Sequence, residues 1–174
     1  SPFILRRLKT DKSIISDLPD KIENNYYTNM TKTQTALYES VVQTSLAKLE
    51  ASIEENREVF ILKLILDLKQ ISNHPYQFLK QGSKHYSKSG KAMLLLDLVE
   101  NIIESGEKVL IFTQFKEMGD LLVEFIRDKF DQEPLYLYGG SSRAQRDDMI
   151  WKFQNSYPQV FILSLKAGGL GLNL

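Results

Sequence analysis

Three short stretches carry the side chains best suited to chemistry: residues 113–116 (TQFK), 139–142 (GGSS) and 164–171 (SLKAGGLG). Between them they hold hydroxyls, a carboxamide, two lysines and five glycines, with no carboxylate and no imidazole. That is equipment for gripping an anion: hydroxyl, amide and ammonium groups all donate to phosphate oxygens. Glycine lets backbone approach a ligand closely. Ser142 followed by Gln145 matches a capping box, so a helix is expected from about Arg143 with its unpaired N–H groups turned toward the same ligand. The alternative for this loop is an ordinary tight turn and cap.

Other candidates are weaker. Between Lys69 and Lys91 there are five lysines and no acid. This basic loop is either a solvated connector or a place where Lys84 and Lys88 meet phosphate. The stretch 89–92 (SGKA) resembles the end of a P-loop, but His85 stands where the first glycine belongs and Ala92 replaces the Mg²⁺-binding hydroxyl. The run from Gly169 to Leu174 has leucine where a dinucleotide fingerprint needs its third glycine. His74, beside Pro75, suits a structural hydrogen bond better than catalysis. Asp147 and Asp148 are adjacent on an expected helix, so they diverge by about 100° and share neither a proton nor a metal easily. Trp151, Tyr136 and Tyr138 are expected in the core. With no cysteine and only two histidines, no metal site and no catalytic triad are expected.

The elements that must position these groups follow from periodicity. Ile22, Tyr26, Thr28 and Met30 suit a short strand. Thr31 with Gln34 forms a second capping box, and Leu37, Val41, Leu49 and Ile53 give a helical stripe; Phe60, Leu64, Leu68 and Ile71 give another, ending near Pro75. From Ser89 onward the pattern is helix, then β-α-β-α-β, with apolar runs 108–113, 135–138 and 160–164 as strands. Runs without polar alternation are what a parallel sheet covered on both faces requires. Parallel strands bring their carboxyl ends to one edge, where open α/β sheets bind ligands, and the three loops follow those ends.

The 174 residues, 43% hydrophobic and 25% charged, fit one globular domain. No stretch approaches a membrane span and the start is no signal peptide, so an intracellular protein without membrane contact is expected. Both ends read as cut. Twenty-two basic residues balance 22 acidic ones, so contact with phosphates must be local.

Several blocks, in order and with matching spacing, resemble the Swi/Snf-type chromatin-remodelling and DNA-translocase ATPases of helicase superfamily two. They are residues 2–7 (PFILRR) with 18–21 (LPDK), 68–75 (LKQISNHP), 89–91 (SGK), 109–114 (VLIFTQ), similar to helicase motif IV, and 163–174 (LSLKAGGLGLNL), similar to motif V. The resemblance implies an α/β, RecA-like three-layer lobe with a parallel sheet, a helical protrusion near the N-terminus and a truncated C-terminus. Residues 1–30 would be a leading segment from the first lobe, 31–88 the protrusion and basic linker, and 89–174 the helicase C-terminal lobe ending within motif V.

By motif position, the resemblance places Thr113, Gln114, Lys116, Gly140, Ser141, Ser142, Ser164 and Lys166 on the DNA backbone. Gly168, Gly169 and Gly171 would face the cleft between lobes. Arg146 fits a recurrent arginine, or else a helix-surface ion pair. Gly139 replaces a common aspartate, and Lys166 a common arginine. ATP and Mg²⁺ would be bound mainly by the first lobe, which with double-stranded DNA would be this chain's partner. The intact protein would be a DNA-dependent ATPase, in the nucleus of a eukaryote or the nucleoid and cytoplasm of a prokaryote. No catalytic residue would lie in this fragment, which alone would be inactive. Two other classes compete: a protein-interaction module using the amphipathic helices, and a Rossmann-type oxidoreductase.

Overall fold

The computed structural model describes residues 22–51 and 57–168. The expectations for residues 1–21, Ile53, Gly169 and Gly171 lie outside the described residues.

Helix α1 spans Lys32–Ala51 and α2 spans Arg57–Asn73. The expected capping box starts α1: Gln34 N–H donates to Thr31 Oγ1 at 3.2 Å, and Thr31 N–H donates to Gln34 Oε1 at 3.1 Å. The expected strand near residues 22–30 is absent. That segment is irregular, with Ile22 83% and Tyr27 88% exposed. Alternation alone makes no strand without a neighbour to pair with.

Pro75 does more than end α2, because it opens α3, Pro75–Leu79, where its missing N–H costs nothing. His74 is the N-cap: its Nδ1 accepts from Tyr76 N–H at 3.1 Å, so Nε2 carries the proton and donates to His85 O at 3.2 Å. A 3₁₀ turn, Tyr86–Lys88, leads into α4, Gly90–Glu104.

The α/β unit follows as β1 (Val109–Thr113), α5 (Lys116–Phe130), β2 (Leu135–Leu137), α6 (Arg143–Asn155), β3 (Val160–Ser164) and the short α7 (Leu165–Gly168). All strand pairs are parallel, in the order β1-β3-β2, with Thr113 opposite Ser164 and Leu137 opposite Leu163. β3 is buried throughout. Val160 and Ile162 pack with Ile111 under Leu96 and Val99 of α4 and Leu122, Phe125 and Ile126 of α5. Phe161 and Leu163 pack the other way, with Leu137 against Phe153, Met149 and Ile150 of α6. Three layers result, as the period of two in a strand demands.

Two details depart from expectation. Trp151 is 59% exposed rather than in the core, because Met149, Ile150 and Phe153 set the inward face of α6 and residue 151 falls outside that arc. On β1, Leu110 and Phe112 are 37% and 51% exposed, and among the described residues β1 has a strand neighbour on one side only. No described helix is long and apolar enough to cross a membrane.

The helical protrusion meets the α/β unit through polar bonds. Gln34, 1% exposed, uses its whole amide: Nε2 donates to Ile71 O (2.9 Å) and Ser72 O (3.2 Å), and Oε1 also accepts from Gly90 N–H at 3.1 Å. Ser89 caps α4 through Ala92 N–H and donates to Asn73 O. A Cβ at position 90 would overlap the Asn29 carbonyl oxygen, so this junction requires glycine.

Candidate functional site

The carboxyl ends of β1, β2 and β3 lie along one edge of the sheet, and the three loops singled out in the sequence leave from it. Thr113 and Ser164 are ladder partners there, 7% and 8% exposed. The Thr113 hydroxyl donates to Phe115 O at 3.3 Å, which shapes the turn into α5. Ser164 Oγ accepts from Ala167 N–H at 3.3 Å, capping α7, and keeps its proton to donate. Gln114 is exposed beside them.

Lys116 is the first residue of α5. Its Nζ lies 2.8 and 3.1 Å from the two carboxylate oxygens of Asp120 and 4.9 Å above the Tyr138 ring. The hydrogen bond it donates to Asp120 holds its pKa above the usual lysine value. The β1 and β2 loops are thereby joined. A second tie is Tyr136, whose hydroxyl donates to Lys116 O at 2.8 Å. Burial first, then the nearby Asp120 charge, pushes its phenol up to about 12. Gly119 faces this phenol, and a Cβ there would overlap it.

After β2, Gly139 and Gly140 pass through an exposed turn closed by Ser141 N–H donating to Tyr138 O at 3.0 Å. The predicted capping box is present: Gln145 N–H donates to Ser142 Oγ at 3.2 Å, and Ser142 N–H to Gln145 Oε1 at 2.8 Å. Arg143 and Ala144 are left with the open N–H donors of the first turn of α6. Lys166, on α7, is exposed and forms no ion pair among the described residues. Arg146 likewise forms none among them, whereas Arg143 reaches Asp147 at 4.0 Å.

The basic run between α2 and α4 is only partly free. Lys84 pairs with Glu124 of α5 at 2.8 Å and lies 5.3 Å over Tyr76, and Lys80 pairs with Glu117. The Glu124 bond raises the Lys84 pKa. The Lys88 ammonium has no such partner among the described residues; its backbone is used, the carbonyl accepting from Thr31 Oγ1 at 3.1 Å and the N–H donating to His85 O at 3.0 Å. Sequence reasoning did not single out Asp120, although its i,i+4 spacing from Lys116 was there to read.

Chemically, this edge donates. Its loops offer hydroxyls, amides and ammonium groups, and the carboxylates near the start of α5, Glu117 and Asp120, are already engaged by Lys80 and Lys116. That set fits phosphate oxygens and does not fit Mg²⁺, which takes carboxylates and water. Among the described residues no group of three or more acids or histidines is placed to hold a metal. An apolar groove of about 660 Å³ adjoins this edge between α1, α2, α4 and β1, lined by Tyr38, Leu68, Leu95 and Phe112 and reaching Thr113 and Gln114.

A profile of the SNF2-related domain matches residues 1–77, and one of the helicase conserved C-terminal domain matches residues 90–174. Over 99% of its length the chain is 35% identical to the putative ATP-dependent helicase/translocase YwqA of Bacillus subtilis, of which it spans 19%. It spans a fifth or less of the length of the curated relatives it matches. Among solved structures, the C-terminal domain of the Sulfolobus solfataricus SWI2/SNF2 ATPase superposes with a TM-score of 0.80 at 40% identity, covering 89% of this chain and 68% of that one. The SWI2/SNF2 ATPase core of the same organism, in complex with double-stranded DNA, gives 0.77 at 42% identity over 94% of this chain and 34% of that one.

Proposed function

Because this chain belongs to the SWI2/SNF2 ATPase family of helicase superfamily two, we propose that it is the second RecA-like lobe of an ATP-driven translocase on double-stranded DNA. Residues 1–30 lead in from the first lobe, 31–88 form the protrusion and linker, and 89–174 form the helicase C-terminal lobe. The observation that carries this reading is the convergence of three donor-rich loops on one carboxyl edge, with Thr113 opposite Ser164 and Lys116 lying over Tyr138.

Thr113, Gln114, Lys116, Gly140, Ser141, Ser142, Ser164 and Lys166 face successive phosphates of one strand. Their contacts are to backbone oxygens, so affinity depends on salt far more than on sequence. Lys88 adds a phosphate contact from the linker, and Lys84 joins it only by leaving Glu124. Gly168, Gly169 and Gly171 let the chain approach ATP held in the cleft by the first lobe. When bound with Mg²⁺, that nucleotide supplies the free energy that opens and closes the lobes. Hydrolysis needs both lobes, so these 174 residues alone turn over no ATP.

The test is charge reversal of Lys116 and Lys166 together in the full-length polypeptide, with ATP hydrolysis measured against duplex DNA concentration. Loss of DNA stimulation is expected; stimulation equal to that of the unmodified protein would defeat the assignment. A second reading, a protein-docking module, draws on α2, where Val59 is 65%, Leu62 62% and Leu66 42% exposed. It expects the same charge reversal to leave DNA stimulation intact.

A further inference from the structure

We infer that Asp120 tunes the grip of this edge on a phosphate backbone by competing with the phosphate for the Lys116 ammonium, a reading that rests on the DNA-facing role proposed above.

Lys116 stands where its own helix disfavours it. The first turn of α5 concentrates partial positive charge, which opposes a cation. The ammonium is nevertheless held at the carboxyl edge, with both Asp120 oxygens on one side and the Tyr138 ring beneath it. The two side chains are 56% and 46% exposed, so the pair is bathed in water and weak. An incoming phosphate oxygen can replace a carboxylate oxygen without burying anything. Glu117 does not compete, since it is bound to Lys80. Lys166 has no paired acid among the described residues, so the two lysines of the edge differ. Lys166 brings a full charge to DNA, and Lys116 brings what Asp120 leaves it.

Counterion release makes this measurable. Each phosphate fully neutralised steepens the fall of log affinity with log salt by about 0.9. A lysine already neutralised by its neighbour contributes less than that, and freeing it restores the difference. Asp120→Asn keeps the shape of the side chain and removes the charge.

The experiment measures binding of the full-length polypeptide to a fluorescent mixed-sequence duplex, without nucleotide, across a KCl series. It compares the unmodified protein, Asp120→Asn, Lys116→Ala and the double variant, with melting temperatures confirming that each is folded. Asp120→Asn is expected to tighten binding about 2- to 5-fold at low salt and to steepen the slope by up to about 0.9. Lys116→Ala is expected to weaken binding, and in its background Asp120→Asn no longer steepens the slope. If Asp120→Asn leaves binding unchanged or weaker while Lys116→Ala still weakens it, Asp120 does not compete. If it tightens binding and steepens the slope equally in both backgrounds, it acts by general repulsion. Either result overturns the inference and spares the DNA-facing assignment. If Lys116→Ala binds with unchanged affinity and slope, Lys116 is not at the interface and the assignment of this edge fails instead.

Discussion

The α/β unit and the helical protrusion spend their apolar residues in opposite ways. β3 has every residue buried between two helical layers, whereas α2, with nine apolar residues among its 17, buries only Ile71. Val59 and Leu62 on α2 remain more than half exposed. One region is held by close packing on two faces. The other is held at its termini by a polar joint, in which Gln34 ties α1, α2 and α4 together. Apolar periodicity therefore reports that a helix forms without reporting what, if anything, covers it.

Substitutions separate the two modes of attachment. Phe125→Ala, which empties a buried site of the α/β core beside the His74 and Tyr86 rings, is expected to cost about 3–5 kcal/mol. Urea denaturation measures it, and a loss below about 1 kcal/mol would show that this core is not close-packed. Gln34→Ala strands buried partners at three helix ends and is expected to cost about 2–3 kcal/mol. Its signature is faster amide hydrogen exchange at Gly90 and Ala92 with little change in β3; uniform loosening would mean that the joint and the core are one cooperative unit.

A smaller effect concerns pH. His74 is fully buried, and burial lowers its pKa below the usual 6.5 although the His85 carbonyl acts against this. The folded state thus holds fewer protons than the unfolded one just below pH 6.5. Stability is complete above that value and falls as pH drops toward the folded pKa. Thermal melts between pH 5 and 7.5 are expected to show this slope, and His74→Asn is expected to flatten it. Smallest of all, Leu62→Ser is expected to change stability by less than about 0.5 kcal/mol, and a larger loss would reveal a covering partner on α2.

Much of this was legible in the sequence. The apolar runs marked the strands to within a residue because parallel strands packed under helices carry little polar alternation, although the face of β1 bearing Leu110 and Phe112 is exposed. Both capping boxes, Thr31 with Gln34 and Ser142 with Gln145, were readable because they are local. The family was readable from ordered blocks. The strand order was not, since a β-α-β-α-β pattern does not say whether the third strand lies beside or between the others. Nor were the bonds from Gln34 to Ile71 and Gly90, or from Lys84 to Glu124, which join residues 37 to 56 positions apart. Exposure of Trp151 was missed for a different reason. Its size suggested burial, but the phase of α6 decided otherwise.

The central place of β3 also fixes how the lobe bears load. A pull on Ser164 or Lys166 runs along the axis of β3, whose flanks are ladders of five paired residues with β1 and three with β2. Tension in that direction shears every rung of both ladders at once and cannot peel them one by one. The anchorage is therefore stiff along the direction in which a tracked polymer would tug.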